Sequence, residues 1–476
     1  MCDFRRCAVV MLFLAGISAR TQDRGVSSPQ TPVIRSEVKE VLVPVVVTDG
    51  HGHYVPNLKM SDFQVLEDGQ PQHLVALSIG MRAGAQVSIN QAAAGGRISS
   101  AGALPPLDVS AARSGPDTPR STYLILVDAL HSSFENFKRI REALGKFFEK
   151  EQDSDAQYAV MVLGRKLAVV EDSTRDVNAA LAAVRNKHFS DLMLDSEANN
   201  LAVSADQFTA LMRQYCSACY CESAGQTGTV GKGVSGEMPE CPDAKTRVRA
   251  FLTSYAERTF LLNQAFLRQL NEIVRATTTM PTSRTVIFIS DGFNRVSGRE
   301  LYAIYLGYGP QDRNFEFNAP DTQRELDAIL KIATNSNVKF YTLDSRGLYT
   351  VTSVPGSGFA ASSSSSPMSA QVDSRTSPNL AAGVPEAVTS STVSAAREST
   401  DVLAELAHET GGLFFENNND LLKGLRQAVA DGREYYILSY VPQNKAMDGK
   451  YRKIVVTVRE PKWRVNAKAG YWAAQN

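Results

Sequence analysis

The 476-residue chain lacks an excess of either charge: 50 Lys and Arg stand against 50 Asp and Glu, for a formal net charge of zero. Without a basic excess there is no bulk attraction to nucleic-acid phosphates or to an anionic membrane surface. Long apolar runs are missing as well. The stretch Cys7-Ala-Val-Val-Met-Leu-Phe-Leu-Ala-Gly16 is too short to favour a bilayer span, and no other apolar run is long enough to cross one. Two motifs of catalysis fail on inspection. Gly233-Val-Ser-Gly236 lacks the Gly-x-Ser-x-Gly spacing of a nucleophile elbow. Gly225 to Lys232 has Gln226 where a phosphate loop needs glycine and Gly233 where it needs a hydroxyl. Histidine is scarce, at six residues, and His131 in its polar turn reads as solvent-facing.

What is present begins with export. Arg5 and Arg6 precede the Cys7–Gly16 core, and Ser18-Ala19 supplies small residues for cleavage, so residues 1–20 are expected to be a signal peptide and the mature chain periplasmic or secreted. If Cys2 and Cys7 leave with it, Cys216, Cys219, Cys221 and Cys241 remain. Their irregular spacing is open to a four-thiolate zinc site, but an oxidising compartment favours two disulfides.

The length implies more than one domain. Residues 36–82 alternate as short strands around the Glu67-Asp68-Gly69 turn and form a small β module, in which Pro44 points to an edge position. Residues 83–120, rich in Ala, Gly, Ser and Pro, are a flexible linker. Residues 121–430 alternate strands and amphipathic helices, as a doubly wound, mainly parallel α/β sheet requires. This domain carries insertions at 189–246, which holds the cysteines, and at 355–393, which is of low complexity. Residues 431–476 return to β structure as a C-terminal module.

Within the α/β domain two strands share one design. Ser121-Thr-Tyr-Leu-Ile-Leu-Val127 ends in Asp128 and a polar turn through Ser132 and Ser133. Thr285-Val-Ile-Phe-Ile289 ends in Ser290-Asp291-Gly292. Continuous apolar runs suit strands buried on both faces, and ligands bind at the carboxyl ends of such strands. Two carboxylates and a hydroxyl brought together there make a site for a hard cation. Two helix caps are also expected: Asp172-Ser-Thr174 before the helix carrying Val177, and a capping box of Thr322 with Glu325.

The pattern Asp128-x-Leu130-x-Ser132, with Ser290-Asp291-Gly292 after a later strand, resembles the von Willebrand factor A (VWA) domain. Elements such as Val-Thr-Asp, Asp-Phe and Glu-Asp-Gly before it, and Tyr-Tyr-x-Leu-x-Tyr after it, resemble a bacterial exported VWFA-related type described from acidobacteria. The resemblance spans roughly Val41 to Trp472, outside the insertions. It implies a metal-ion-dependent adhesion site in which Asp128, Ser132 and Asp291 are ligands of Mg²⁺, with Mn²⁺ or Ca²⁺ as alternatives, and a partner protein fills an open position with a carboxylate. Leu130 departs from the pattern, standing where the family has a hydroxyl ligand, and the family's threonine ligand is not placed. The function implied is protein interaction or adhesion rather than catalysis. The rivals are a structural envelope protein without the ion, and a metal-assisted hydrolase, which lacks a base and ligands for a second metal.

Overall fold

The computed structural model describes residues 40–80, 88–89, 121–151, 156–192, 196–219, 221, 239–279, 283–310, 315, 317–347 and 386–474. The expected signal peptide, most of the linker and most of the low-complexity insertion lie outside them. The first strands are β1 (Val41–Thr48), β2 (Phe63–Glu67), β3 (Gln70–Gln72), β4 (Leu74–Gly80) and β5 (Ser88–Ile89). The central region contains β6 (Ser121–Asp128), α1 (Phe134–Lys150), β7 (Ala156–Leu163), β8 (Leu167–Thr174), α2 (Val177–Arg185), α3 (Lys187–Asp191), α4 (Glu197–Cys219) and α5 (Cys241–Thr277). It continues with β9 (Ser283–Ser290), α6 (Arg299–Gly307), α7 (Gln323–Asn335), β10 (Lys339–Asp344), α8 (Glu386–Thr410), β11 (Phe414–Phe415) and α9 (Leu421–Arg433). Then come β12 (Tyr435–Tyr440), β13 (Tyr451–Val458), β14 (Arg464–Ala467) and β15 (Gly470–Trp472).

The architecture is a doubly wound α/β sheet flanked by antiparallel β sheets. Six strands are ordered β11-β10-β9-β6-β7-β8, all parallel except the β7–β8 pair, which forms the antiparallel edge. Strand β6 shows why its run is apolar throughout. Tyr123, Ile125 and Val127 pack with Phe137, Ile140 and Leu144 of α1, Val184 of α2 and Leu425 of α9. Leu124 and Leu126 face the other way, onto Phe266 and Leu270 of α5, Ile329 of α7 and Leu403 of α8. Side chains alternate across a strand, so a strand with a helical layer on each face needs apolar residues at every position.

The described residues of the segment expected as a cysteine-bearing insertion are largely helical. Phe208, Met212, Tyr215 and Cys219 recur at helical spacing along α4 and pack with Val248 and Leu252 of α5 and Leu301 and Ile304 of α6 in a core of their own. Two disulfides are present as expected: Cys219–Cys241 joins the end of α4 to the start of α5, and Cys216–Cys221 ties the last turn of α4 to the chain that leaves it. Two other expectations need correction. The helix after β8 is capped by Asp176, which accepts from the Asn178 amide, because β8 extends through Thr174. At α7 the Thr322 hydroxyl donates to the Arg295 carbonyl and makes no cap.

Strands from the two β regions pair with one another. One sheet has the order β14-β1-β12-β4-β5 and the other β15-β13-β2-β3. The β2–β3 hairpin turns at Asp68 and Gly69, both with positive φ, as a two-residue hairpin turn of this twist requires. Strand β1 is internal rather than an edge, yet Pro44 fits. It lies opposite Ile437 of β12, while β14 pairs with β1 only from Val45 onward, so no ladder bond is lost on that side.

At the amino end of β10, Lys339 is buried over the Tyr435 ring, 4.9 Å from its centroid, and its amine has no hydrogen-bond partner among the described residues. Burial pushes this amine down to about 8, against the pull of the Asp431 carboxylate. Below that pH the fold must hold a buried charge. Between about 8 and the ordinary value of 10.5 the unfolded chain binds a proton that the folded chain has released, so stability rises with pH across that window. Lys339→Met is expected to stabilise the fold by roughly 3 kcal/mol at pH 7, and the gain should shrink towards zero near pH 10. Urea denaturation at both pH values checks this; a gain independent of pH contradicts it.

Candidate functional site

In the six-stranded order the chain leaves β6 towards β7 on one side and returns to β9 on the other. This is the switch point at which crossovers diverge and a crevice opens at the carboxyl ends of the strands. Parallel register pairs Val127 with Ile289, so Asp128 stands beside Ser290 and Asp291. The two carboxylates expected from the sequence to share one end of one sheet do so.

Asp128 is fully buried and organises its own loop. Its Oδ1 accepts from the amides of Leu130 and His131, both at 2.9 Å. This local side-chain turn is typical of aspartate. Its Oδ2 accepts from the Ser290 hydroxyl at 2.6 Å and lies 2.9 Å from Nδ1 of His131. Four donors thus surround two oxygens. Ser290 in turn accepts from the Gly292 amide at 2.9 Å. Gly292 has φ of +78°, and a β carbon there would sit 2.2 Å from the Ser399 carbonyl oxygen, so glycine is required after Asp291.

Asp291 faces the start of α1. Its Oδ2 accepts from the Ser133 amide at 3.0 Å and from Nδ2 of Asn136 at 2.8 Å, and its Oδ1 accepts from the Ser345 hydroxyl. Burial nevertheless holds its carboxyl above the ordinary aspartate value, with these donors and Arg346 opposing. Ser133, not Ser132, caps α1, accepting from the Asn136 amide at 3.3 Å. That leaves the Ser132 hydroxyl fully buried with no hydrogen-bond partner among the described residues, and the Asn136 Oδ1 atom is in the same state. Buried polar atoms without partners are rare in native proteins and call for an explanation. Asp344, at the end of β10, is tied to the Arg346 guanidinium at 2.9 Å and serves a structural turn.

His131 departs from its solvent-facing expectation. Its ring stacks on Phe293, with centroids 4.5 Å apart, and meets Phe266 edge-on at 4.8 Å. Nε2 lies 2.9 Å from Oδ1 of Asn263 on α5. Burial is the largest influence and works to lower its pKa, but Asp128, Asn263 and Asp291 together outweigh it and the net shift is upward. Leu130, where the resemblance implies a hydroxyl, is buried in the core beneath with Phe266 and Phe288. The cysteines are remote from all this. Cys241 opens α5, and Asn263 lies about 33 Å further along that helix at 1.5 Å per residue.

Sequence reasoning named Asp128, Ser132 and Asp291 but missed Asn136, Asn263 and the bridging role of Ser290. Only Asn136 left a local trace, three residues after the cap Ser133 in the first turn of α1. Among the described residues no group of three or more His, Cys, Asp and Glu is placed to hold a metal ion. The oxygens gathered here belong to Asp, Ser and Asn.

No protein-family model matches the chain, and no curated protein matches it. Solved structures give distant similarities. The conserved hypothetical protein BatB from Bacteroides thetaiotaomicron is 10% identical over 66% of this chain and 98% of that one, with a TM-score of 0.26. An aerotolerance-related membrane protein from Bacteroides fragilis NCTC 9343 is 12% identical over 65% and 98%, with a TM-score of 0.23. The open form of the pilus adhesin SpaC from Lactobacillus rhamnosus GG is 10% identical over 75% and 44%, with a TM-score of 0.24. At scores this low, no inference about function is drawn from them.

The two serines of the site should behave oppositely. Ser290→Ala removes a donor from a buried carboxylate and an acceptor from the Gly292 amide, and is expected to cost about 2 kcal/mol. Ser132→Ala, in protein freed of divalent ions, removes a hydroxyl that has no partner and should be neutral or slightly stabilising. Denaturant unfolding in EDTA measures both; equal losses would refute the bonding pattern described.

Proposed function

We propose that this chain is an exported interaction protein of the VWA type, which binds a protein partner at the carboxyl edge of its parallel sheet around a divalent cation held at the switch point. The observation that carries the reading is the Ser132 hydroxyl, buried and without a hydrogen-bond partner among the described residues, one position before the Ser133 amide that donates to Asp291. A cation, like a buried water, would give such an oxygen a partner without any rearrangement of the loop, and the carboxylate held by the next residue's amide favours the cation. An all-oxygen donor set suits Mg²⁺, with Mn²⁺ and Ca²⁺ as alternatives. When bound, the ion would offer a coordination position to a carboxylate of the partner. Phe134, next in sequence to the Ser133 cap and 58% exposed, gives the same rim an apolar contact surface.

Two disulfides fit an oxidising compartment, periplasmic or extracellular. Among the described residues no helix is long and apolar enough to cross a membrane. Binding rather than turnover is supported by His131, the histidine of the site, whose two ring nitrogens are already engaged by Asp128 and Asn263. A second reading keeps the interaction surface but dispenses with the ion. It is favoured by Leu130, an apolar core residue where a ligand would be, and by Asp128, whose oxygens are all taken by protein donors.

The full chain, stripped with EDTA, is expected to bind Mn²⁺ with a dissociation constant on the order of 10⁻⁴ M, the range of extracellular oxygen-ligand sites. Panned against a random displayed-peptide library, it should select Asp- or Glu-bearing peptides that EDTA releases and that Asp291→Ala fails to select. Selection indifferent to EDTA but lost in Asp291→Ala would establish the ion-free reading. Identical selection by both proteins would place the interaction elsewhere.

A further inference from the structure

We propose that the side-chain oxygen of Asn136 is a cation ligand, supplying the neutral oxygen lost at Leu130, and that Asp128 holds the loop in shape without touching the ion. The inference rests on the cation reading of the same site and names its donor set: Ser132 Oγ, Asn136 Oδ1 and Asp291.

The amide of Asn136 can be oriented from its contacts. Nδ2 donates to Asp291 Oδ2 at 2.8 Å, so Oδ1 is the other end of the amide, turned from that carboxylate oxygen. Asn136 is 1% exposed, and its Oδ1, like the Ser132 hydroxyl, has no partner among the described residues. Both belong to one short segment. Ser132 precedes the Ser133 whose amide also donates to Asp291, and the Ser133 hydroxyl accepts from the Asn136 amide. Two buried oxygens without partners among the described residues therefore lie four positions apart in one segment, which the Ser133 amide and Asn136 Nδ2 tie to the Asp291 carboxylate at the start of α1.

The two carboxylates differ at one oxygen: Asp291 Oδ1 meets a single donor, the Ser345 hydroxyl, and Asp128 has no oxygen so lightly engaged. Each of its oxygens already meets two donors, and the loop from Leu130 to Ser132 depends on those bonds. Recruiting it to an ion would break one of them. Leu130 points into the core, so a hydroxyl at that position could not be recovered by a small loop movement. Asn136 offers the same chemistry, a neutral oxygen, from the next element along the chain. One carboxylate and two neutral oxygens leave a bound divalent cation with net positive charge, and this site would draw an anionic group from a partner. That is the physical reason to expect an acidic peptide rather than a neutral one.

The test is Mn²⁺ titration of the full chain, followed by electron paramagnetic resonance of the free ion and by the ion-induced rise in melting temperature. Asn136→Ala is expected to weaken Mn²⁺ binding at least tenfold. Asn136→Asp sets a second carboxylate beside Asp291 and should melt earlier than wild type in EDTA but bind Mn²⁺ more tightly and gain more on its addition. Should Asn136→Ala fail to fold, the Asn136→Asp comparison decides alone. If wild type and Asn136→Ala bind equally, or Asn136→Asp gains nothing from the ion, Asn136 is no ligand and the cation reading survives without it. If wild type binds no Mn²⁺ at millimolar concentration, both fall together.

Discussion

The parallel pairing of β6 with β9 is the constraint on which the rest depends. Neighbouring strands lie about 4.8 Å apart, and the parallel register leaves no freedom in which residues emerge together at the strand ends. Asp128 and Ser290 meet because of it, and the hydroxyl-to-carboxylate bond between them then locks the two loops. The helical layers on either face exclude water from both strands, which makes each polar atom at the rim answerable for a partner. The site is thus the place where a dry sheet ends and its backbone turns back.

His131 and Leu130 show how one loop serves two masters. Residue 130 turns down into the core that Phe266 and Phe288 build, while residue 131 lies flat on Phe293 and edge-on to Phe266 with both nitrogens engaged. An aromatic clamp from α5 and from the loop after β9 therefore holds the same loop that Asp128 ties from within. Rigidity at this point serves binding, since a preorganised rim loses less freedom when a partner docks.

Much of this was legible in the amino-acid order. The apolar runs at 121–127 and 285–289, their terminal aspartates and the amphipathic helices between them state a doubly wound sheet, because period and length are local properties. The Glu67-Asp68-Gly69 hairpin was readable for the same reason. What stayed hidden is non-local. Nothing near His131 announces Asn263 or Phe266, which arrive from a helix more than a hundred positions away. The α4–α6 core was masked by the irregular cysteine-rich stretch between its helices. The turn chemistry misled where two hydroxyls compete: Ser132 and Ser133 are both competent caps, and only the backbone angle at Ser133 decides. The C-terminal β module also divides between two sheets after β14, with Lys468 turning inward at the break to donate to the Thr334 carbonyl and Asn337.

The interleaving of β1 and β2 with β12 to β15 has a bearing on how the chain comes to its final form. Every strand of the six-stranded sheet lies between these partners in sequence, so the α/β layer can assemble from nearby segments while the flanking sheets wait for the last strands to appear. Contacts of such long sequence separation are the slow ones. The outer sheets act as a buckle fastened last: until β12 arrives, Val41 to Val45 present an apolar strand with no neighbour, and a cell that produces this protein must shield that strand from unwanted pairing during the interval.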